Sequence, residues 1–135
     1  MSRRFIISKY PRIIKDWLEV FEKNLSVTRE LRLDEYVKVI WLDACSIPKV
    51  PHGTDPLDAP IATRTETPGR FLGVYLDKEY GLPHLVIVTE RSGELEHWTS
   101  IPMPIVRSII KLTEVEAKKA RASFVRINAS EAMDG

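Results

Sequence analysis

Apolar side chains recur three and four positions apart between residues 11 and 25, placing Ile13, Ile14, Trp17, Leu18, Phe21 and Leu25 on one stripe. The spacing predicts an amphipathic helix. Pro11 suits its first turn, where a missing N–H costs nothing, and Ser8 stands upstream as a cap. Trp17 is expected to anchor the helix in the core. The preceding "SRRFII" reads either as an added edge strand or as a flexible arm over residues 1–10 carrying Arg3 and Arg4.

Helical spacing gives way to partial alternation in "LRLDEYVKVIWLDAC", residues 31–45, where "VIWL" puts apolar side chains on both faces. That predicts a strand covered on both sides for part of its length. Residues 46–69 follow, with prolines at 48, 51, 56, 60 and 68. A loop this long is either functional or poorly ordered.

The stretch "RFLGVYLDKEYGLPHLVIVTERSGELEHWTSI", residues 70–101, reads as three strands joined by hairpins that turn near Tyr80-Gly81 and at Ser92-Gly93. Opposed residues of an antiparallel pair share a face. These turns pair Ile87 with Trp98, Val88 with His97, Val74 with Ile87 and Tyr75 with Val86. One face then carries Leu72, Val74, Leu76, Leu85, Ile87 and Trp98 as a dry core. The other carries Phe71, Gly73, Tyr75, Val86, Val88, His97 and Thr99, and a slip of one residue exchanges the two.

Pro102 and Pro104 are expected to end the last strand and open a C-terminal helix. From Val106, positions 106, 110, 113, 117, 120, 124 and 127 step by four and three. The stripe reads either as a helix packed on its own sheet or as the seam of a homodimer. "TEVE" at 113–116 matches a capping box, so the helix has a natural restart at Thr113. The tail over 129–135 looks frayed. The fold class expected is α+β in one domain over 1–135, with an N-terminal amphipathic helix, a curved antiparallel sheet of about four strands and a C-terminal helix.

A chain of 135 residues can bury a core without disulfides or a structural metal. Its 20 Lys and Arg against 19 Asp and Glu leave a net charge of +1, so polyanion binding requires cations clustered locally. The single cysteine, Cys45, rules out an intrachain disulfide and any multi-cysteine zinc site, and beside Ala44 it reads as a small buried side chain. No apolar run reaches the roughly 18 residues of a membrane span, and "MSRRFIISKY" is too short in its apolar part for a signal peptide. A cytoplasmic location without membrane attachment is expected. The absence of glutamine, with two asparagines, nine prolines and abundant charge, points to a thermophilic source.

No arrangement announces catalysis. His52, His84 and His97 stand in no catalytic motif, and Gly69 and Gly73 lack the Lys-Ser/Thr continuation of a phosphate loop. Glu94 and Glu96 bracket a strand residue and are expected to face solvent. His52, Asp55 and Asp58 have no fourth partner for a metal ion. No catalytic residue, metal or cofactor is expected, and the chain is read as a non-enzyme.

What remains is surface chemistry. Phe71, Tyr75 and His97 form a candidate stacking platform, and Arg64, Arg70, Lys78, Arg91 and Lys38 a candidate basic rim. Bases of a single strand stack on exposed rings while cations neutralise phosphates, and Gly73 would let a flat base approach the backbone. In the competing reading the aromatics pack beneath the long loop or the N-terminal helix. Sequence-tolerant binding of single-stranded DNA or RNA is the expected function. The alternative is a protein-interaction or assembly subunit using the C-terminal helix and the sheet face.

The order of elements, the composition and the strand-to-helix passage "WTSIPMPIVRSIIKL" together resemble the ThermoDBP group of single-stranded DNA-binding proteins of hyperthermophilic archaea. The resemblance covers most of the chain and no residue motif. It implies a sheet groove with apolar and aromatic lining and basic edges that holds single strands, and it implies dimers.

Overall fold

The computed structural model describes residues 10–44, 46–58 and 61–120. The arm before Tyr10, Cys45, Phe124, Ile127 and the 129–135 tail lie outside the described residues. Helix α1 spans Tyr10–Glu30 and is followed by strand β1, Tyr36–Ala44. A 3-10 turn at Pro56–Asp58 sits in the long connection to β2, Ala62–Leu76. Strands β3, Pro83–Ser92, and β4, Leu95–Pro102, complete a meander. A second 3-10 turn, Met103–Ile105, leads into β5, Val106–Lys111, and residues 114–120 form helix α2.

The architecture is α+β, and the antiparallel sheet has five strands in the order β4-β3-β2-β1-β5. β4 and β5 are therefore opposite edges, yet only three residues connect them. The four Cα steps from Pro102 to Val106 reach at most about 14 Å, whereas four interstrand spacings across a flat sheet need about 19 Å. The sheet must curl to bring its edges together. Met103, fully buried, plugs the corner where the turn lies against β1 and β3.

Residues 106–111, expected in the C-terminal helix, form the fifth strand. The reason is a β-bulge: Ile40 pairs with Ser108 and Trp41 with Val106, leaving Arg107 as an extra residue. The bulge turns Val106 and Ile109 to the same buried face, and a spacing of three imitates a helix. The continuous heptad from Val106 is thereby excluded. Helix α2 begins after Thr113, whose hydroxyl accepts the Glu116 N–H at 3.2 Å, the first half of the predicted capping box; the Glu116 carboxylate accepts from the Thr113 hydroxyl at 3.1 Å in place of the reciprocal bond to the Thr113 N–H. Ala117 of the stripe is buried.

The predicted Pro-rich loop is also shorter than expected, because Ala62 to Gly69 belong to β2. Pro68 is tolerated since β2 has only β1 beside it there; β3 joins at Arg70. The core is built from Val37 and Val39 of β1, Phe71 of β2, Leu85 and Ile87 of β3, Ile101 of β4, and Val106 and Ile109 of β5. α1 covers one side of it with Phe21, Leu25 and Val27. Asn24, buried in that seam, donates to the Val106 carbonyl at 2.9 Å beside the bulge.

Trp17 is not the core anchor its spacing suggested. It stacks on Phe21 at 5.6 Å and donates to the Pro104 carbonyl at 3.0 Å, strapping α1 to the 3-10 turn while remaining half-exposed. Ile13, Ile14 and Leu18 are exposed beyond it. The apolar stripe is longer than the surface it covers.

Candidate functional site

Val37 and Val39 point into the core, so Tyr36 and Lys38 of β1 face outward with their partners Arg70 and Pro68 on β2. Arg70 also lies opposite Val88, and Val88 opposite Trp98. A transverse row, Tyr36–Arg70–Val88–Trp98, thus crosses four strands on the outer face of the sheet. Trp98, placed in the core by the sequence reading, is 58% exposed at the end of this row.

The Arg70 guanidinium lies 4.6 Å from the centroid of the Tyr36 ring, and it also donates to the Tyr36 hydroxyl. Among the described residues it has no carboxylate partner. Arg91 differs. Its Nη2 meets Asp34 Oδ1 at 2.6 Å and its Nε meets Glu96 Oε2 at 2.6 Å. Glu96 is held below the usual carboxylate range first by the Arg91 hydrogen bond and then by that from the Trp98 indole, and Arg91 is raised by Glu96 and Asp34. Asp34 adopts a left-handed φ of 67° and donates its N–H to the Phe71 carbonyl at 2.8 Å. Arg91 therefore ties the tip of the β3–β4 hairpin to the turn that enters β1.

Beyond the Arg70–Val88 pair the two strands part, since the first half of β2 stays with β1 while β3 continues with β4. A cleft of about 140 Å³ opens in the gap, lined by Tyr36, Gly69, Arg70, Thr89, Glu90 and Arg91 with Val88 at its closed end. Gly69 is needed at this corner. A Cβ there would lie 2.8 Å from the Val88 carbonyl oxygen, which is backbone and cannot swing aside.

The predicted platform is only partly assembled. Phe71 is 6% exposed and belongs to the core, so it offers no stacking surface. The cause is register: Phe71 pairs with Ile87 and Gly73 with Val86, leaving Leu72 as a bulge, while a second bulge at Thr89 pairs Val88 with Trp98 and Glu90 with His97. The last hairpin turns at Gly93-Glu94, one residue later than Ser92-Gly93. Tyr75 faces outward and is 53% exposed. Its ring folds back over Gly73, where a Cβ would lie 2.8 Å from it, so the space expected for a base is already occupied by Tyr75.

His97 is exposed but sits beside Trp98 on the strand and hence outside the row. Arg64 pairs with Glu66 at 2.8 Å, and Lys38 approaches the same carboxylate at 3.9 Å, both on the outer face of β1 and β2. Lys78 lies in the β2–β3 turn, far along the sheet from Arg70. The structure brings Arg70 and Arg91 together and adds Tyr36 and Trp98, neither of which the sequence reading placed in the site. The alternation of Val37 and Val39 around Lys38 was the available signal for Tyr36.

Among the described residues no group of three or more His, Cys, Asp or Glu side chains is placed to hold a metal ion. Among them, no helix is long and apolar enough to cross a membrane. In comparisons with known proteins, the chain matches no family model, no curated protein and no solved structure.

Proposed function

We propose that the chain binds single-stranded nucleic acid without reading its sequence, through the outer face of the sheet. The observation that carries this reading is the row itself: an exposed Trp98 in line with Arg70, a guanidinium with no carboxylate partner among the described residues. A base stacked on an exposed ring contributes roughly 1–3 kcal/mol. Trp98 and Tyr75 supply rings, and Arg70 supplies the phosphate contact. Arg64, Lys38 and Arg91 already face carboxylates, so they add little net charge to the face.

This division makes stacking the main term and predicts a shallow salt dependence. One or two neutralised phosphates on a single strand correspond to a slope of about −0.7 to −1.4 in log K against log salt. Titrating a fluorescent oligonucleotide at low and high salt measures it. No binding at low salt removes the reading.

A second reading is favoured by a different observation. Ile13, Ile14, Trp17 and Leu18 extend the apolar stripe of α1 past the sheet that its other half covers. Such a face suits an assembly subunit. Apolar association does not release counterions, so self-association or partner binding through α1 would be nearly indifferent to salt in sedimentation.

A further inference from the structure

We propose that residues 62–68, the open edge of β2, pair antiparallel with the same edge of a second copy of the chain, in a register centred on Thr65.

β1 runs along one side of this segment, and β3 joins the other side only at Arg70. The backbone direction on the open side follows from the pairing next to it. Phe71 gives its N–H to the Glu35 carbonyl and takes the Asp34 N–H on its own carbonyl, each at 2.8 Å, so both of its backbone groups point toward the chain entering β1. The Tyr36 carbonyl, opposite Arg70, turns the other way and accepts the Leu112 N–H at 2.9 Å. Backbone direction alternates along a strand, and the β1–β2 register runs unshifted from Arg70 to Ala62. Thr63, Thr65 and Thr67 therefore bond β1. The N–H and C=O of Ala62, Arg64 and Glu66 point to the open side, together with the carbonyl of Pro68, whose missing N–H leaves no gap in the β1 ladder. Among the described residues no backbone group pairs with them.

Such an edge is a template for another strand, and "ATRTETP" is complementary to itself when reversed. A two-fold axis through Thr65 sets Arg64 opposite the partner's Glu66 and Thr63 opposite the partner's Thr67. Both members of each Arg–Glu pair have backbone groups on the open side, so they exchange both N–H···O bonds, and the Ala62 N–H reaches the carbonyl of the partner's Pro68. The neighbouring registers that keep these backbone groups paired centre on Arg64 or on Glu66. Both place like charges face to face, which is destabilising. Within one chain Arg64 already holds Glu66 at 2.8 Å, with Lys38 3.9 Å from the same carboxylate, and both members of the Arg64–Glu66 pair are exposed. A second copy closes that pair into a square of alternating charge. The axis stands perpendicular to the sheet at this point, so the outer faces of the two copies, each with its Arg70–Trp98 row, join on one side.

Sedimentation equilibrium of the full chain over a concentration series should show a dimer. Arg64→Glu and Glu66→Arg each oppose like charges across the axis, and each should raise the dissociation constant at least about tenfold. An equimolar mixture of the two variants should dimerise again, because one edge is then acidic at both positions and the other basic. In a Cys45→Ser background, Thr65→Cys puts two thiols at the axis, in a pair whose Cα atoms lie about 4.5 Å apart, within disulfide reach. Mild oxidation should link that variant into dimers on a non-reducing gel and leave Thr63→Cys unlinked. A wild-type chain that stays monomeric at the highest concentration overturns the proposal. So does a dimer that Arg64→Glu leaves intact, which would belong to another surface such as the apolar stripe of α1, or a mixture of variants that fails to associate while the wild type dimerises.

Discussion

Arg70 and Tyr36 face each other across β1 and β2, with the guanidinium 4.6 Å from the ring centroid and bonded to the ring's own hydroxyl. The contact fixes a planar cation beside the Tyr36 ring at the border of the cleft. A lysine ammonium has neither the plane nor the fork. Arg70→Lys should therefore weaken oligonucleotide binding nearly as much as Arg70→Ala. Fluorescence anisotropy checks this, and wild-type affinity in Arg70→Lys would show that only the charge matters.

Phe71 and Trp98 should behave oppositely. Phe71→Ala empties a core site and should cost about 3–5 kcal/mol in urea denaturation. Trp98→Ala should leave stability within about 0.5 kcal/mol while weakening oligonucleotide binding by roughly 1–3 kcal/mol. If Trp98→Ala unfolds the chain and Phe71→Ala does not, the faces of the sheet are reversed.

Gly69→Ala should destabilise by about 1–3 kcal/mol, the usual penalty for forcing extra atoms into a packed site. The new methyl would meet the Val88 carbonyl at 2.8 Å, so β2 and β3 must separate at the closed end of the cleft. Denaturation at equilibrium measures the loss, and an unchanged midpoint would mean that the two strands do not approach so closely.

Asn24→Ala removes the donor to the Val106 carbonyl and leaves a buried acceptor beside the Arg107 bulge. A loss of about 1–3 kcal/mol is expected. Faster hydrogen exchange in β5 relative to β3 would locate the effect at the α1 seam.

Asp77 accepts backbone N–H groups from Tyr80, Leu82 and Glu79 in the β2–β3 turn, and the first of these contributes most to holding its carboxyl below the ordinary value of 3.8. A folded pKa depressed in this way gives stability that is fully present above 3.8 and is lost as pH falls through the lower folded value. Asp77→Asn should lower the melting temperature at neutral pH, and the gap to wild type should close on acidification. A gap independent of pH would assign the effect to shape instead of charge.

The sequence by itself determined the features whose signals lie within a few residues. The stripe of α1, the β2–β3–β4 meander and the Thr113–Glu116 capping box needed only helical spacing, turn chemistry and local hydrogen bonds. Tertiary structure decided everything that depends on register. Bulges at Leu72, Thr89 and Arg107 each insert one unpaired residue, and each shift moves side chains to the opposite face. They put Phe71 in the core and Trp98 outside, and they made Val106 and Ile109 resemble a helix. The curl that brings β4 to β5 through Met103–Ile105 is what these bulges accommodate, and it depends on pairing between strands far apart in the chain. The cleft is made the same way: Tyr36 and Arg70 border it together with residues 88–91 of β3 only because β2 leaves β3 for β1 at Gly69, a close approach of two backbones that no local propensity encodes.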